Sequence, residues 1–581
     1  LGNRRLAILD LSAAGHQPMW SPDGRYVISF NGEIYNHDNV REELGIKRSD
    51  LRSTTDTEIL LRAWGRWRAG SLDRLVGQWA FALFDTLERR LWLCRDRFGE
   101  KPLFYHRGDA AFTFASSIPA LIEAPWVPRS LDDDAIREYA TLRYVVSPRT
   151  VVSSVFKVPG GHLLRVSPDG VESQRWYAPR FRPHAARRSR AALVEEFDSL
   201  FGQASTRCLV SDVPVALLLS DGIDSNSIRA AISERGREVR SFTYTLAHRR
   251  SGLTRSESAD SGGAASMDLR VTPPERVRQM VPAFGSLNEP VGDGAALATW
   301  LLIRNAREHA TVFLCGHGGD EVLGGYRLSQ DRFRLAAIRG LARLPLPVVR
   351  KLLERFLYGV EPVESRRRAL LDEPPRRAPA VASYLIHRPL PVNDLHELFG
   401  PSAPAATSYL DTVDRLYADC LGTAGDLDRM QEVMLQTFLS ENILSFADAT
   451  AMDSSAELRM PFLDRDLVDF VLSLPMTMRV SRWPGRANTK RILRWWSRGR
   501  MDSEIISRRK RAFPFGNLPE LLMGHADTLR GYVLDSRGVR RVVPGAEQWL
   551  RHPPEYFRGP WEGTLWALLA LGIWSEQHGI A

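Results

Sequence analysis

Residues 213–235 read VPVALLLSDGIDSNSIRAAISER. An apolar run, Val213 to Leu219, leads into the polar loop Ser220-Asp221-Gly222-Ile223-Asp224-Ser225, and a stretch of helical spacing follows from Asn226 to Arg235. The segment therefore predicts strand, tight loop and helix. A phosphate group takes backbone N–H donors and the positive end of a helix dipole, and a loop in this position offers both. Gly222 lets the backbone approach closely, Ser220 and Ser225 bring hydroxyl donors, and Asp224 can hold Mg2+. The GK[ST] ending of a Walker A loop is absent. Taken alone, the same residues also make a strand–helix turn with a capping serine.

Downstream, Ser241 to Thr245 reads as a strand, Ala298 to His309 as a helix and Thr311 to Leu314 as another strand. Alternation of this kind predicts a parallel α/β sheet. Directly after the last strand comes Gly316-His317-Gly318-Gly319-Asp320-Glu321-Val322-Leu323-Gly324-Gly325-Tyr326. Five glycines in ten residues would disable a helix or strand interior, so their use is conformational. Asp320 falls at the C-terminal end of a strand, where open α/β sheets bind ligands. With Asp224 it makes two carboxylates able to share one metal ion.

Upstream, residues 1–177 read mainly as strands and turns. Tyr26 to Phe30 alternates and ends at the turn signal Asn31-Gly32. Thr57 to Trp67 has helical periodicity with Asp56 as N-cap, and strands follow at Trp79 to Asp85, Leu91 to Arg95 and Ala111 to Ser116. Ala178 to Arg190 is Pro- and Arg-rich and reads as a linker, giving regions 1–177 and 191–581. His248 to Ser266 reads as a surface loop, and the last two hundred residues as mostly helical.

At 581 residues, 44% hydrophobic and 25% charged, the chain fits two soluble globular domains and excludes a mainly disordered one. No apolar run reaches the ~20 residues of a membrane span, so the expected compartment is the cytoplasm. Cys94, Cys208, Cys315 and Cys420 form no CxxC pair, which argues against a zinc site or a disulfide framework. The net charge of +9 comes from arginines scattered along the chain, which argues against a nucleic-acid partner. Only six lysines occur: Lys47, Lys101, Lys157, Lys351, Lys490 and Lys510. Where arginine is the habitual cation, a lysine marks a place that needs a compact point charge.

SDGIDS and GHGGDEVLGGY, in this order, resemble the asparagine synthetase (glutamine-hydrolysing) family. LGNRRLAILDLSAAGHQPM, FNGEIYN, STTDTE and RDRFGEKPLFY are similar to its glutaminase domain, and AMDSSAELRMPFLD, TKRILR and RRKRAFPFG to later parts of its synthetase domain. The resemblance implies an α/β protein: a class II, N-terminal-nucleophile (Ntn) αββα glutaminase domain, then a parallel-sheet ATP-pyrophosphatase domain with a helical C-terminal part. It implies adenylation of the aspartate side chain by ATP with Mg2+, then attack by ammonia from glutamine, yielding asparagine, AMP and pyrophosphate. Partners would be these small molecules, with no nucleic acid or membrane, and a homodimer is compatible with it.

Residue by residue, the resemblance makes Arg5 the partner of the glutamine α-carboxylate, Asn31 and Gly32 the oxyanion hole, and Glu33 with Asp56 the binders of the substrate's amino end. Without it, Asn31-Gly32 reads as a hairpin turn and Asp56 as a helix cap. Ser220, Gly222, Asp224 and Ser225 match the pyrophosphate loop, Asp224 and Asp320 the Mg2+ ligands, and Leu218, Tyr244 and Gly316 the adenosine contacts. Lys490 matches the lysine that steadies α-phosphate charge, and Lys510 a residue that helps close the site. Glu457, Arg459 and Asp464 are equally a structural salt-bridge network or site residues.

Three positions depart from the pattern. The family's nucleophile is an N-terminal cysteine, whereas this chain begins at Leu1, several dozen residues into the domain, and Cys94 lies in RDRFG. With Arg5, Asn31, Gly32 and Asp56 present, a truncated start is expected, and no glutamate release from the chain as given. His317 stands where the family carries an acidic residue; it can shuttle protons but supplies no fixed negative charge, which opens the choice of acceptor. Asp221 replaces a glycine and puts an anion beside the pyrophosphate. The readings carried forward are asparagine formation, amide or lactam formation on another carboxylate, and a non-catalytic regulatory protein on the same fold.

Overall fold

The computed structural model describes residues 1–108, 111–183, 188–246, 254–259, 265–326, 392–400, 410–420, 425–481, 489–508, 518–557 and 560–581. The N-terminal region is built on a six-stranded antiparallel sheet, in the order Met19–Trp20, Tyr26–Ile34, Gly77–Asp85, Arg90–Arg95, His162–Ser167 and Gly170–Arg175. Side chains alternate across a strand, and Gly77–Asp85 uses both faces. Trp79, Phe81 and Leu83 pack beneath Ile59, Leu60 and Trp64 of the helix Asp56–Trp67. Ala80 and Ala82 face the other way, toward Leu103, Tyr105 and Phe114 from the three-stranded sheet Phe112–Ala115, Phe104–Arg107 and Val155–Lys157. Burial on both faces explains why these strands are apolar at nearly every position.

The second region has the predicted parallel sheet. Its order is Thr254–Ala259, Ala265–Val271, Arg240–Leu246, Val215–Leu218, Val312–Leu314 and Glu457–Arg459, and only the first strand is antiparallel. The chain leaves Val215–Leu218 for Arg240–Leu246 on one side and later returns to Val312–Leu314 on the other. That makes a topological switch point, whose crevice lies outside the carboxyl ends of these strands. The pieces Thr254–Ala259 and Ala265–Val271 correct the reading of a loop over His248 to Ser266: the described parts pair in register, Ser256 with Asp268. The alternating polar pattern of an edge strand had read as loop composition.

One apolar core runs from Phe98 to Ile580 and takes residues from both regions. The apolar segment Leu565 to Trp574 lies in the helix Pro560–Gln577, buried on all sides, and Tyr139 donates to the Ala567 carbonyl from the other region at 2.9 Å. Among the described residues no helix is long and apolar enough to cross a membrane. Within the expected linker, Phe181 is buried and its N–H donates to Glu432 at 2.7 Å, so the described part of that segment is pinned to the second region.

Candidate active site

Among the described residues, the site candidates gather at two centres, one in each region. The first is a cavity of about 540 Å3 lined by Arg5, Asn31, Gly32, Glu33, Asp56 and, from the second region, Glu457. All five glutamine-binding candidates thus meet at one place. The turn expected at Asn31-Gly32 is not there: the strand Tyr26–Ile34 runs straight through, with Gly32 opposite Trp79. Gly32 has φ +143°, and a Cβ would come 2.1 Å from the Gln78 carbonyl, so glycine is needed for close strand approach. Asp56 is the first residue of its helix and not the cap; Thr55 caps, accepting from the Thr57 N–H at 3.4 Å. Freed from capping, the buried Asp56 carboxylate accepts the Ile34 N–H at 2.7 Å, which ties the helix to the strand carrying Asn31.

Burial raises the carboxyls of both Glu33 and Asp56; the Asp56 and Glu457 charges add to the effect on Glu33, while the Ile34 N–H opposes it on Asp56. A cationic amino group is the partner such a pair accepts. Arg5 lines the cavity, but its guanidinium donates to the Leu9 carbonyl and rests against Gly15. Cys94 is no substitute nucleophile: it is fully buried between Phe81 and Leu163 on the sheet, and burial pushes its thiol well up.

The second centre occupies the switch point. The helix predicted from Asn226 begins three residues earlier, at Ile223, with Gly222 as its N-cap, so Asp224 and Ser225 lie in its first turn. Asn226 explains the shift: its amide donates to the carbonyls of Ser220 and Gly222, each at 2.8 Å, and folds the loop over the helix start. Ser225 Oγ accepts the Ser220 N–H at 3.0 Å, and Gly222 donates to Ser220 Oγ at 3.2 Å. The loop is thereby fixed before any ligand arrives. Leu218 ends its strand beside Phe242, two residues from Tyr244 on the neighbouring strand Arg240–Leu246.

The glycine-rich segment follows Val312–Leu314. Gly316 packs so closely on Asp224 that a Cβ would meet its Cβ at 2.9 Å. Asp320 sits in the short helix Gly319–Leu323. Lys490, buried and with a left-handed φ of 51°, places Nζ 2.6 Å from an oxygen of Asp224 and 2.6 Å from one of Asp320. Gly325 makes that possible, since a Cβ there would lie 1.8 Å from Asp320 Oδ1 and 2.3 Å from Lys490 Cε. The hard oxygen donors of the two carboxylates suit Mg2+, which takes one or two carboxylates and completes its shell with phosphate and water. No group of three or more His, Cys, Asp or Glu side chains placed to hold a metal ion occurs among the described residues.

His317 lies half-buried with its ring edge-on to Phe446 at 5.9 Å. Glu457 and Arg459 belong to a buried ion cluster between the regions, and Asp464 caps the helix Arg465–Ser473 while pairing with Arg207 at 3.0 Å. Lys510 lies outside the described residues. Sequence reading missed Lys101, which ion-pairs across the regions with Asp448 at 2.9 Å and Glu457 at 3.3 Å. Lysine scarcity was its signal: of the four described lysines, Lys101, Lys157 and Lys490 are buried among carboxylates and only Lys47 is exposed.

Comparison with known proteins finds a family match for each region. Residues 1–177 match the glutamine amidotransferase domain family, and residues 196–575 the asparagine synthase family. Asparagine synthetase [glutamine-hydrolyzing] 1 of Bacillus subtilis is 29% identical over 88% of this chain and 79% of that protein. A putative asparagine synthetase [glutamine-hydrolyzing] of Mycobacterium tuberculosis is 32% identical over the same shares. A more distant relative, amidase chyE of Penicillium rubens, is 25% identical over 88% of this chain and 80% of its own length.

Proposed function

The chain belongs to the asparagine synthase family, and from that membership we propose that it adenylates the side-chain carboxylate of aspartate and transfers ammonia from glutamine to it, giving asparagine, AMP and pyrophosphate. It is a carbon–nitrogen ligase with glutamine as amido donor. The observation that carries the reading is Lys490 Nζ held between Asp224 and Asp320 at a sheet switch point.

A carboxylate oxygen of the acceptor attacks the α-phosphorus, and pyrophosphate leaves. Charge then grows on the α-phosphate and the leaving group. The lysine ammonium meets the first, and the N–H groups of the Ser220–Ser225 loop at the start of the helix meet the second. Asp224 and Asp320 would hold Mg2+, which supplies further positive charge to the pyrophosphate. Leu218, Tyr244 and Gly316 border the adenosine side chiefly through backbone. Ammonia attacks the acyl carbon, AMP departs with the acceptor's oxygen, and His317 would take the proton lost by the attacking nitrogen. In the other centre, Glu33 and Asp56 take the glutamine ammonium, Arg5 its carboxylate, and Asn31 with Gly32 the developing oxyanion.

Acceptor labelled with 18O in its carboxylate, supplied with ATP and ammonium, is expected to yield AMP carrying one labelled oxygen. ADP and labelled inorganic phosphate would mean phosphorylation instead and would overturn the reading. Asp320→Asn is expected to abolish pyrophosphate release; unchanged turnover would remove Asp320 from the site.

A second reading changes only the acceptor. His317 in place of an acidic residue, together with the amidase-named relative, favours a carboxylate other than that of aspartate. A panel of carboxylic acids in the same labelling assay decides between them.

A further inference from the structure

Asp221 is the residue of the phosphate loop that the chemistry above leaves unexplained. A carboxylate there should repel pyrophosphate, yet its position has a structure around it. The side chain is 90% exposed, and its Oδ2 lies 3.3 Å from Nη1 of Arg508, 287 residues away in sequence. The same Nη1 donates to the Asp221 carbonyl at 3.3 Å, so the guanidinium holds the loop by backbone and side chain together. Nη2 of Arg508 pairs with Glu504 at 2.9 Å.

Arg508 is fixed from behind as well. Arg494, in the helix Arg491–Trp496 that follows Lys490, donates to the carbonyls of Ile506 and Arg508, and through Nε to the Thr489 carbonyl at 2.9 Å. Arg494 also feels the charges of Asp224 and Asp320. One arginine thus links the backbone that carries Lys490 to the backbone that carries Arg508. The result is a cation held against the exposed Asp221 of the loop. An exposed ion pair contributes little to stability, so this arrangement is better accounted for by what Arg508 can reach. A guanidinium has five donors, and among the described residues Asp221 and Glu504 engage only part of them, which leaves others to reach phosphate oxygens.

We propose that Asp221 is a positioning residue that holds Arg508 at the mouth of the phosphate loop, where its guanidinium binds the pyrophosphate end of ATP. The inference rests on the adenylating role assigned to that loop. It turns the apparent repulsion of Asp221 into a net gain, because the anion carries its own cation to the site.

The test uses the full chain, with magnesium pyrophosphate binding by calorimetry and the KM for ATP and kcat of pyrophosphate release. Asp221→Asn and Arg508→Gln are each expected to weaken pyrophosphate binding and raise the KM for ATP by about tenfold, the size of a charge-assisted hydrogen bond, with a smaller change in kcat. The double variant should be no worse than Arg508→Gln alone, and Asp221→Glu should retain most of the binding. Tighter pyrophosphate binding by Asp221→Asn would mean simple repulsion and overturn the proposal. So would losses that multiply in the double variant, or variants that bind as the wild type does. A wild-type protein that binds neither pyrophosphate nor ATP would overturn the adenylating role itself; wild-type turnover with indifferent variants would overturn only the role of Asp221.

Discussion

Gly325 has no Cβ, and the space that one would need is taken by the Asp320 carboxylate at 1.8 Å and Lys490 Cε at 2.3 Å. Gly325→Ala should therefore displace the lysine and its carboxylate partner while the chain still folds. Pyrophosphate release is expected to fall by about 10²-fold or more, the cost of an ångström of misplacement, with only a modest fall in melting temperature from the overpacking; full activity would mean the cluster is not the reacting centre. Lys490→Arg tests the same packing from the other side. A planar guanidinium cannot replace a point charge in so small a space, so its steady-state kcat should drop by about 10²-fold. The lysine was legible from sequence because lysine is scarce in this chain, and the glycines because five in ten residues have no other use. The partner of Asp221 was not legible: Arg508 is one of many arginines, and only folding brings it to the loop.

At the scale of elements, the strand Tyr26–Ile34 and the helix Asp56–Trp67 meet at the Ile34–Asp56 hydrogen bond and there support a buried carboxylate pair. Burial, with Asp56 and Glu457 nearby, holds the Glu33 carboxyl well above its usual 4.5, despite Arg459 and Lys101. A carboxyl raised in the folded state favours folding below its unfolded value, and that contribution is lost as pH rises through the folded one. Glu33→Gln should thus melt close to wild type near pH 4.5 and progressively higher than wild type as pH rises toward 8. A gap in melting temperature that closes with rising pH would contradict the burial argument. Local reading took Asn31-Gly32 for a turn because that dipeptide favours φ > 0; the neighbouring strand, which needs a glycine for close approach, lies 47 residues further on at Trp79, opposite Gly32. The alternation of strand and helix, by contrast, survives in any local window, and the parallel sheet followed from it.

For the whole molecule, the two regions are joined by an ion cluster in which Lys101 of the first region meets Asp448 and Glu457 of the second, and Arg459 lies 3.9 Å from Glu33. Partners 347 residues apart leave no trace in local pattern, so the joint was invisible in the sequence although both of its ends were quoted. Lys101→Met would take the cation from buried Asp448 and leave Glu457 to Arg459, at 2.9 Å, a loss of about 3 kcal/mol. Thermal unfolding should register it as a clear fall in melting temperature, partly restored by adding Asp448→Asn. An unchanged melting temperature would mean that the regions do not depend on this joint. The central claim, that the Lys490 cluster is an adenylating centre serving aspartate, is met most directly by following pyrophosphate release from ATP and Mg2+ with ammonium chloride, with and without aspartate. Ammonium supplies the nitrogen without the glutaminase centre. The expected result is release that requires aspartate and is matched by asparagine in equal amount. Folded protein that binds ATP and releases no pyrophosphate, or releases it without regard to aspartate, would contradict the claim.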